Sequence, residues 1–77
     1  MPRIEGKLTI HNCIQEFRVR EKVTQQDLAD AIEVTRGTVV ALEKGSYNPS
    51  LELAFRLAHF FKVGIEELFF NHEAQHE

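Results

Sequence analysis

The sequence predicts an all-α fold, a bundle of five short helices. Three observations predict it. Apolar residues recur at spacings of three and four through most of the chain, the period of a helix with one buried face. Thr24, Thr35 and Ser50, all good helix-capping residues, stand just ahead of three of these stripes. The connections between stripes are brief.

The N-terminal stretch is the least regular. "KLTI" (7–10) alternates polar and apolar residues, which suits a short strand or an ordered arm. From Asn12 the pattern becomes helical, with Ile10, Ile14 and Phe17 on one face, and it runs to about Glu21. Thr24 caps a second helix, and Asp27 three residues on nearly completes a capping box. Leu28, Ala29 and Ile32 are its buried stripe. Thr35 caps a third helix over 36–44, anchored by Val39 and Leu42 and ended by Gly45. "GSYNPS" is a loop, and Ser50 caps a fourth helix with Leu53, Ala54, Leu57, Ala58 and Phe61 inside. A short fifth helix carries Ile65, Leu68 and Phe69. The expected organisation is an arm at 1–11, a helical domain at 12–69 and an acidic tail at 70–77. No sheet is evident.

The chain has 77 residues, 43% of them hydrophobic, enough for one modest core. No apolar run approaches the roughly 18 residues of a membrane span. "MPRIEGKL" lacks the apolar stretch of a signal peptide. The lone Cys13 cannot form an internal disulfide and reads as a small packed side chain, so a cytoplasmic location is expected. The net charge of −3 seldom suits a nucleic-acid partner, but its distribution does not forbid one. Residues 63–77 alone contribute −4, which leaves residues 1–62 at +1.

Helices two and three are joined by "EVT", the short link of a helix-turn-helix. Thr24–Gln25, Leu28–Ala29, Val34–Thr35–Arg36, Thr38–Val39, Leu42–Glu43, Gly45 and Asn48–Pro49–Ser50 occur together at fixed spacing. Over residues 12–69 this pattern resembles the Cro and phage-repressor type of helix-turn-helix regulator, in its small single-domain form. The resemblance implies a lambda-repressor-like bundle that binds double-stranded DNA as a transcriptional regulator, a repressor in the phage type. Its third helix would enter the major groove. The implied partner is a palindromic operator bound by a homodimer.

The resemblance also assigns site residues. Positions 36, 37, 40 and 41 face bases, and the bare face of helix three lets its backbone approach them. Arg36 could pair with guanine O6 and N7 or reach a phosphate. Val40 and Ala41 offer apolar contact, for instance to a thymine methyl, or are plain helix surface. Gly37 stands where the family often carries a long polar residue, so one reading side chain is missing. Thr35 and Thr38 complete the first turn of the reader. Gln25 is either a second cap or a phosphate contact at the helix N-terminus. Lys44, Ser46, Tyr47 and Asn48 would lie along the DNA backbone. Arg18 and Glu43 would pair across helices one and three and fix the reader. Lys22, Glu33 and Lys62 stand where the family commonly has glycine just past a helix. As left-handed caps they would each cost roughly 1 kcal/mol.

Other features are set aside. His72, Glu73, His76 and Glu77 share one helical spacing but read as a polar tail, not a metal site. His59 reads as a surface or interface residue, not a ligand. Cys13 near His11 lacks the arrangement that nucleophilic catalysis needs. No enzyme, cofactor or small-molecule site is expected. Phe55, Phe60, Phe69 and Phe70 are more apolar surface than so small a chain buries alone, which favours self-association through helix five and the tail, or through the arm. The alternative function is a protein-interaction module, such as an antitoxin with an acidic tail.

Overall fold

The computed structural model describes Gly6 and residues 8–71. The elements run β1 (His11–Asn12), α1 (Ile14–Arg20), α2 (Gln25–Ile32), α3 (Arg36–Lys44), α4 (Leu51–Phe61), α5 (Ile65–Leu68) and β2 (Phe69–Phe70). The all-α bundle is present, with one small addition. β1 and β2 pair antiparallel, His11 opposite Phe70 and Asn12 opposite Phe69.

That ladder corrects two expectations. The first helix begins at Ile14, and Ile10 lies before it. The backbone of residues 11–12 is committed to β2, and the Cys13 N–H donates to the Leu68 carbonyl at 3.0 Å, so the chain there stays extended. Asn12 provides the cap from outside the helix, its Oδ1 accepting from the Ile14 N–H at 3.1 Å. Likewise Phe69 is extended, with φ −126° and ψ 138°, and does not continue α5.

Caps and stripes account for the other helices. Thr24 and Asp27 form a reciprocal capping box at α2, with bonds of 3.0 and 3.4 Å. Thr35 Oγ1 accepts from the Thr38 N–H at 3.2 Å, and Ser50 Oγ from the Leu53 N–H at 3.1 Å. The core joins Ile14, Leu28, Ala29, Ile32, Val39, Leu42, Leu53, Leu57, Ala58, Phe61 and Leu68. Every element from α1 to α5 sends at least one residue into it.

α1 to α4 all end in one device. Lys22, Glu33, Gly45 and Lys62 are left-handed, at φ 60°, 65°, 76° and 60°. The next amide in each case, from Val23, Val34, Ser46 or Val63, reaches back to a carbonyl five residues earlier at 2.9–3.1 Å. These are Schellman motifs. The three valines also pack against the core, the apolar contact that this motif favours. Only Gly45 adopts the conformation without Cβ strain.

Candidate DNA-reading surface

α3 has two sides. Val39 and Leu42 are fully buried, and Thr35 and Gly45 close its ends. Gly37, Ala41 and Lys44 follow one another at spacings of four and three along the opposite side. Arg36 and Gly37 are exposed, Val40 and Ala41 half-buried, and Lys44 exposed. A Cβ built on Gly37 would meet only Thr35 Oγ1, at 3.8 Å, so the space before it is open. Among the described residues, the Arg36 and Lys44 side chains make no hydrogen bond or ion pair within the protein. Their charge is available to a partner.

Glu43 faces inward. Arg18 Nε donates to Glu43 Oε2 at 2.6 Å and Nη2 to Oε1 at 3.3 Å, a two-point pair with side chains 13% and 5% exposed. Arg18 Nη1 also donates to the Val23 carbonyl at 3.0 Å, across the α1–α2 turn. Gln25, at the first turn of α2, is half-buried. Its Nε2 donates to Glu43 Oε1 at 3.1 Å. One carboxylate thus ties α1, α2 and α3 together.

The remaining candidates divide. The Thr35 and Thr38 hydroxyls share a hydrogen bond of 3.0 Å at the start of α3, so both are engaged in the cap. Ser46 Oγ donates to the Ala41 carbonyl at 3.2 Å and helps close α3. Tyr47 and Asn48 are exposed in the following loop. Asn48 also lies at the edge of an open groove of about 330 Å³ lined with Ile10, Pro49, Leu51, Ile65 and Phe69.

Two residues that position the reader escaped the sequence reading. Asn12 Nδ2 donates to the Leu42 carbonyl at 2.8 Å, pinning the last turn of α3 to β1. Its signal was ambiguous, because an asparagine ahead of a helical stripe reads as part of that helix. Arg56 Nη1 donates to the Ile32 carbonyl at 3.0 Å and so fixes the end of α2, where the turn to α3 begins. Its Nη2 pairs with Glu52 at 2.9 Å. The Glu52–Arg56 spacing of four was the available clue.

No group of three or more potential metal ligands occurs among the described residues, and the pair His72 and His76 lies outside them. His59 sits edge-on to Phe55, with ring centroids 6.4 Å apart. No helix among the described residues is long and apolar enough to cross a membrane.

A supporting helix, a three-residue turn and an outward-facing helix held from behind define the helix-turn-helix class. A family model described as helix-turn-helix matches residues 14–68. The chain belongs to this helix-turn-helix family of DNA-binding transcription regulators. It is 48% identical over 58 residues to an uncharacterised HTH-type transcriptional regulator of Methanocaldococcus jannaschii, covering 75% of this chain and 88% of that one. It is 40% identical over 55 residues to the cryptic phage CTXphi transcriptional repressor RstR of Vibrio cholerae, covering 71% of this chain and 50% of the repressor. The solved structure of the clp gene regulator ClgR from Corynebacterium glutamicum matches with a TM-score of 0.66 at 30% identity, over 70% of this chain and 57% of that one.

Proposed function

We propose that the chain is a cytoplasmic repressor that binds a palindromic DNA operator as a homodimer, with α3 in the major groove. One observation carries this reading: among the described residues, no side chain on the outward side of α3 joins the core or forms a hydrogen bond or ion pair that holds the fold. Arg36, Gly37, Val40, Ala41 and Lys44 face away from the core, while Val39, Leu42 and Glu43 fasten the helix from behind. Arg36 begins the helix and reads guanine, and Val40 and Ala41 meet thymine methyls. Thr35, Thr38, Lys44, Ser46, Tyr47 and Asn48 border the reader and follow the phosphate backbone. The DNA-binding unit is 12–69, and it uses neither a cofactor nor a catalytic group.

The symmetry common to this class and the exposed apolar surface support the dimer. Leu51 is 72% exposed and lines the groove together with Ile65 and Phe69, and Phe55, one turn further along α4, is 49% exposed. The sequence had placed the contact on α5 and the tail. We extend it to this face of α4, and the tail lies outside the described residues. Helix-turn-helix dimers in general set their readers against half-sites about one helical turn apart or a multiple of it.

Selection of bound sequences from a random duplex pool tests the reading, followed by a salt series with Arg36→Ala and Lys44→Ala. A palindrome is expected. Arg36→Ala should cost about 1–3 kcal/mol per half-site and relax one base pair. Lys44→Ala should weaken all sequences alike and lower the salt slope by about 1 per half-site. No enriched sequence, with no effect of either substitution, would overturn the reading and leave a protein partner as the rival.

A further inference from the structure

Gln25 stands at the first turn of α2, next to the surface assigned to DNA. A glutamine amide there has no charge and several rotamers, so its orientation needs a cause. The structure supplies one. Glu43 Oε1 accepts a hydrogen from Gln25 Nε2 at 3.1 Å. That carboxylate is itself held by two bonds from Arg18 and is 5% exposed, so it cannot swing away. The bond fixes which end of the Gln25 amide is nitrogen and where it points. It occupies one of the two N–H groups of the amide and leaves the second as a donor.

We propose that Glu43 is a positioning residue for DNA binding, acting through Gln25 and aiming its second N–H at a backbone phosphate. The proposal rests on the function proposed above. It gives Glu43 a task beyond its ion pair: the carboxylate that locks α3 in place also orients the phosphate donor on α2. Reader and backbone clamp are thereby set by one rigid group. Without the carboxylate, the amide could present its carbonyl oxygen to the phosphate, which repels, as easily as its N–H. A fixed donor also avoids part of the rotamer entropy lost when a free side chain is immobilised on binding.

A double-mutant cycle on operator affinity tests this, with the wild type, Gln25→Ala, Glu43→Ala and the double variant. Loss of the carboxylate also removes a negative charge near DNA, but this effect enters both backgrounds and cancels in the cycle. Gln25→Ala should weaken wild-type binding about tenfold per half-site, the effect of a hydrogen bond to a charged group. In the Glu43→Ala background the same change should cost less than about twofold. The loss should not alter the salt slope, since glutamine releases no counterion. Glu43→Gln keeps an oxygen acceptor for Gln25, so there the cost should return towards tenfold, an outcome that fold stability alone would not produce. If Glu43→Ala does not fold, operators with single methylphosphonate substitutions replace that arm. Wild type should lose affinity at one phosphate per half-site, and Gln25→Ala should be indifferent there. Equal cost of Gln25→Ala in every background, or equal methylphosphonate sensitivity with and without Gln25, would overturn the proposal. Sequence-selective binding that persists in that case would leave the proposed function standing.

Discussion

Arg18→Met separates the fold from the reading surface most cleanly. Methionine keeps an unbranched stem of similar length, so apolar packing along that stem is largely retained. The guanidinium is lost. Glu43, 5% exposed, would keep a single donor, Gln25 Nε2 at 3.1 Å, in place of three. The Val23 carbonyl would lose its bond from Arg18 as well. Removing one partner of a buried pair costs about 3–5 kcal/mol. A domain of this size holds on the order of 4–12 kcal/mol in total. At about 4–8 °C per kcal/mol, the melting temperature should fall on the order of 12–40 °C. Thermal unfolding followed by far-ultraviolet circular dichroism measures it. Arg18→Met/Glu43→Leu should recover much of the loss, because no uncompensated charge remains. A drop under about 5 °C for the single variant would refute the reasoning and show that the carboxylate is solvated in solution.

Other predictions concern separate parts of the molecule. Lys62→Gly relieves a left-handed residue at φ 60° and should stabilise by about 0.5–1 kcal/mol in a denaturant titration, since the steric relief exceeds the added chain entropy. Cys13 donates through Sγ to the Glu67 carbonyl at 3.0 Å, and burial, followed by the Glu16 carboxylate, raises its pKa. A raised pKa contributes stability that is present below the unfolded thiol value and lost above it, so the melting temperature should decline from about pH 8.5 upward. Cys13→Ser should flatten that decline. Sedimentation should find a dimer at tens of micromolar, and Leu51→Glu/Phe55→Glu should yield a folded monomer with weaker operator binding. A monomeric wild type would end the dimer assignment.

The parts of the fold that were legible in the sequence are those set by local chemistry. Thr24, Thr35 and Ser50 each act within three residues, and the stripes of α2, α3 and α4 repeat within one helix. The left-handed positions 22, 33 and 62 were legible only through the family likeness, since lysine and glutamate do not announce that conformation. The β1–β2 ladder was not legible, because it joins residues almost sixty apart through two-residue strands with no turn between them. The double role of Asn12 depends on that ladder. The Gln25–Glu43 bond was missed for a related reason: it exists only once α2 and α3 are packed, and Gln25 had a simpler reading as a cap or phosphate contact while Glu43 was already assigned to Arg18. The aromatic surplus was legible as a count but not as a place. Phe60 packs edge-on to Phe61, Phe70 stacks on His11, and the most exposed large apolar side chain among the described residues is Leu51.

The division of α3 into a fastened side and a vacant side has an evolutionary consequence. Under the function proposed above, mutation at 36, 37, 40, 41 or 44 would alter what is recognised while sparing the caps, the buried anchors and the Arg18–Glu43 pair. A duplicated copy of such a gene could therefore drift towards a new operator without first losing its structure. Gly37 is open among these positions, because a new Cβ there meets only Thr35 Oγ1, at 3.8 Å. The same vacancy makes the chain a convenient scaffold for retargeting, with a library at five positions and the remaining sequence held constant.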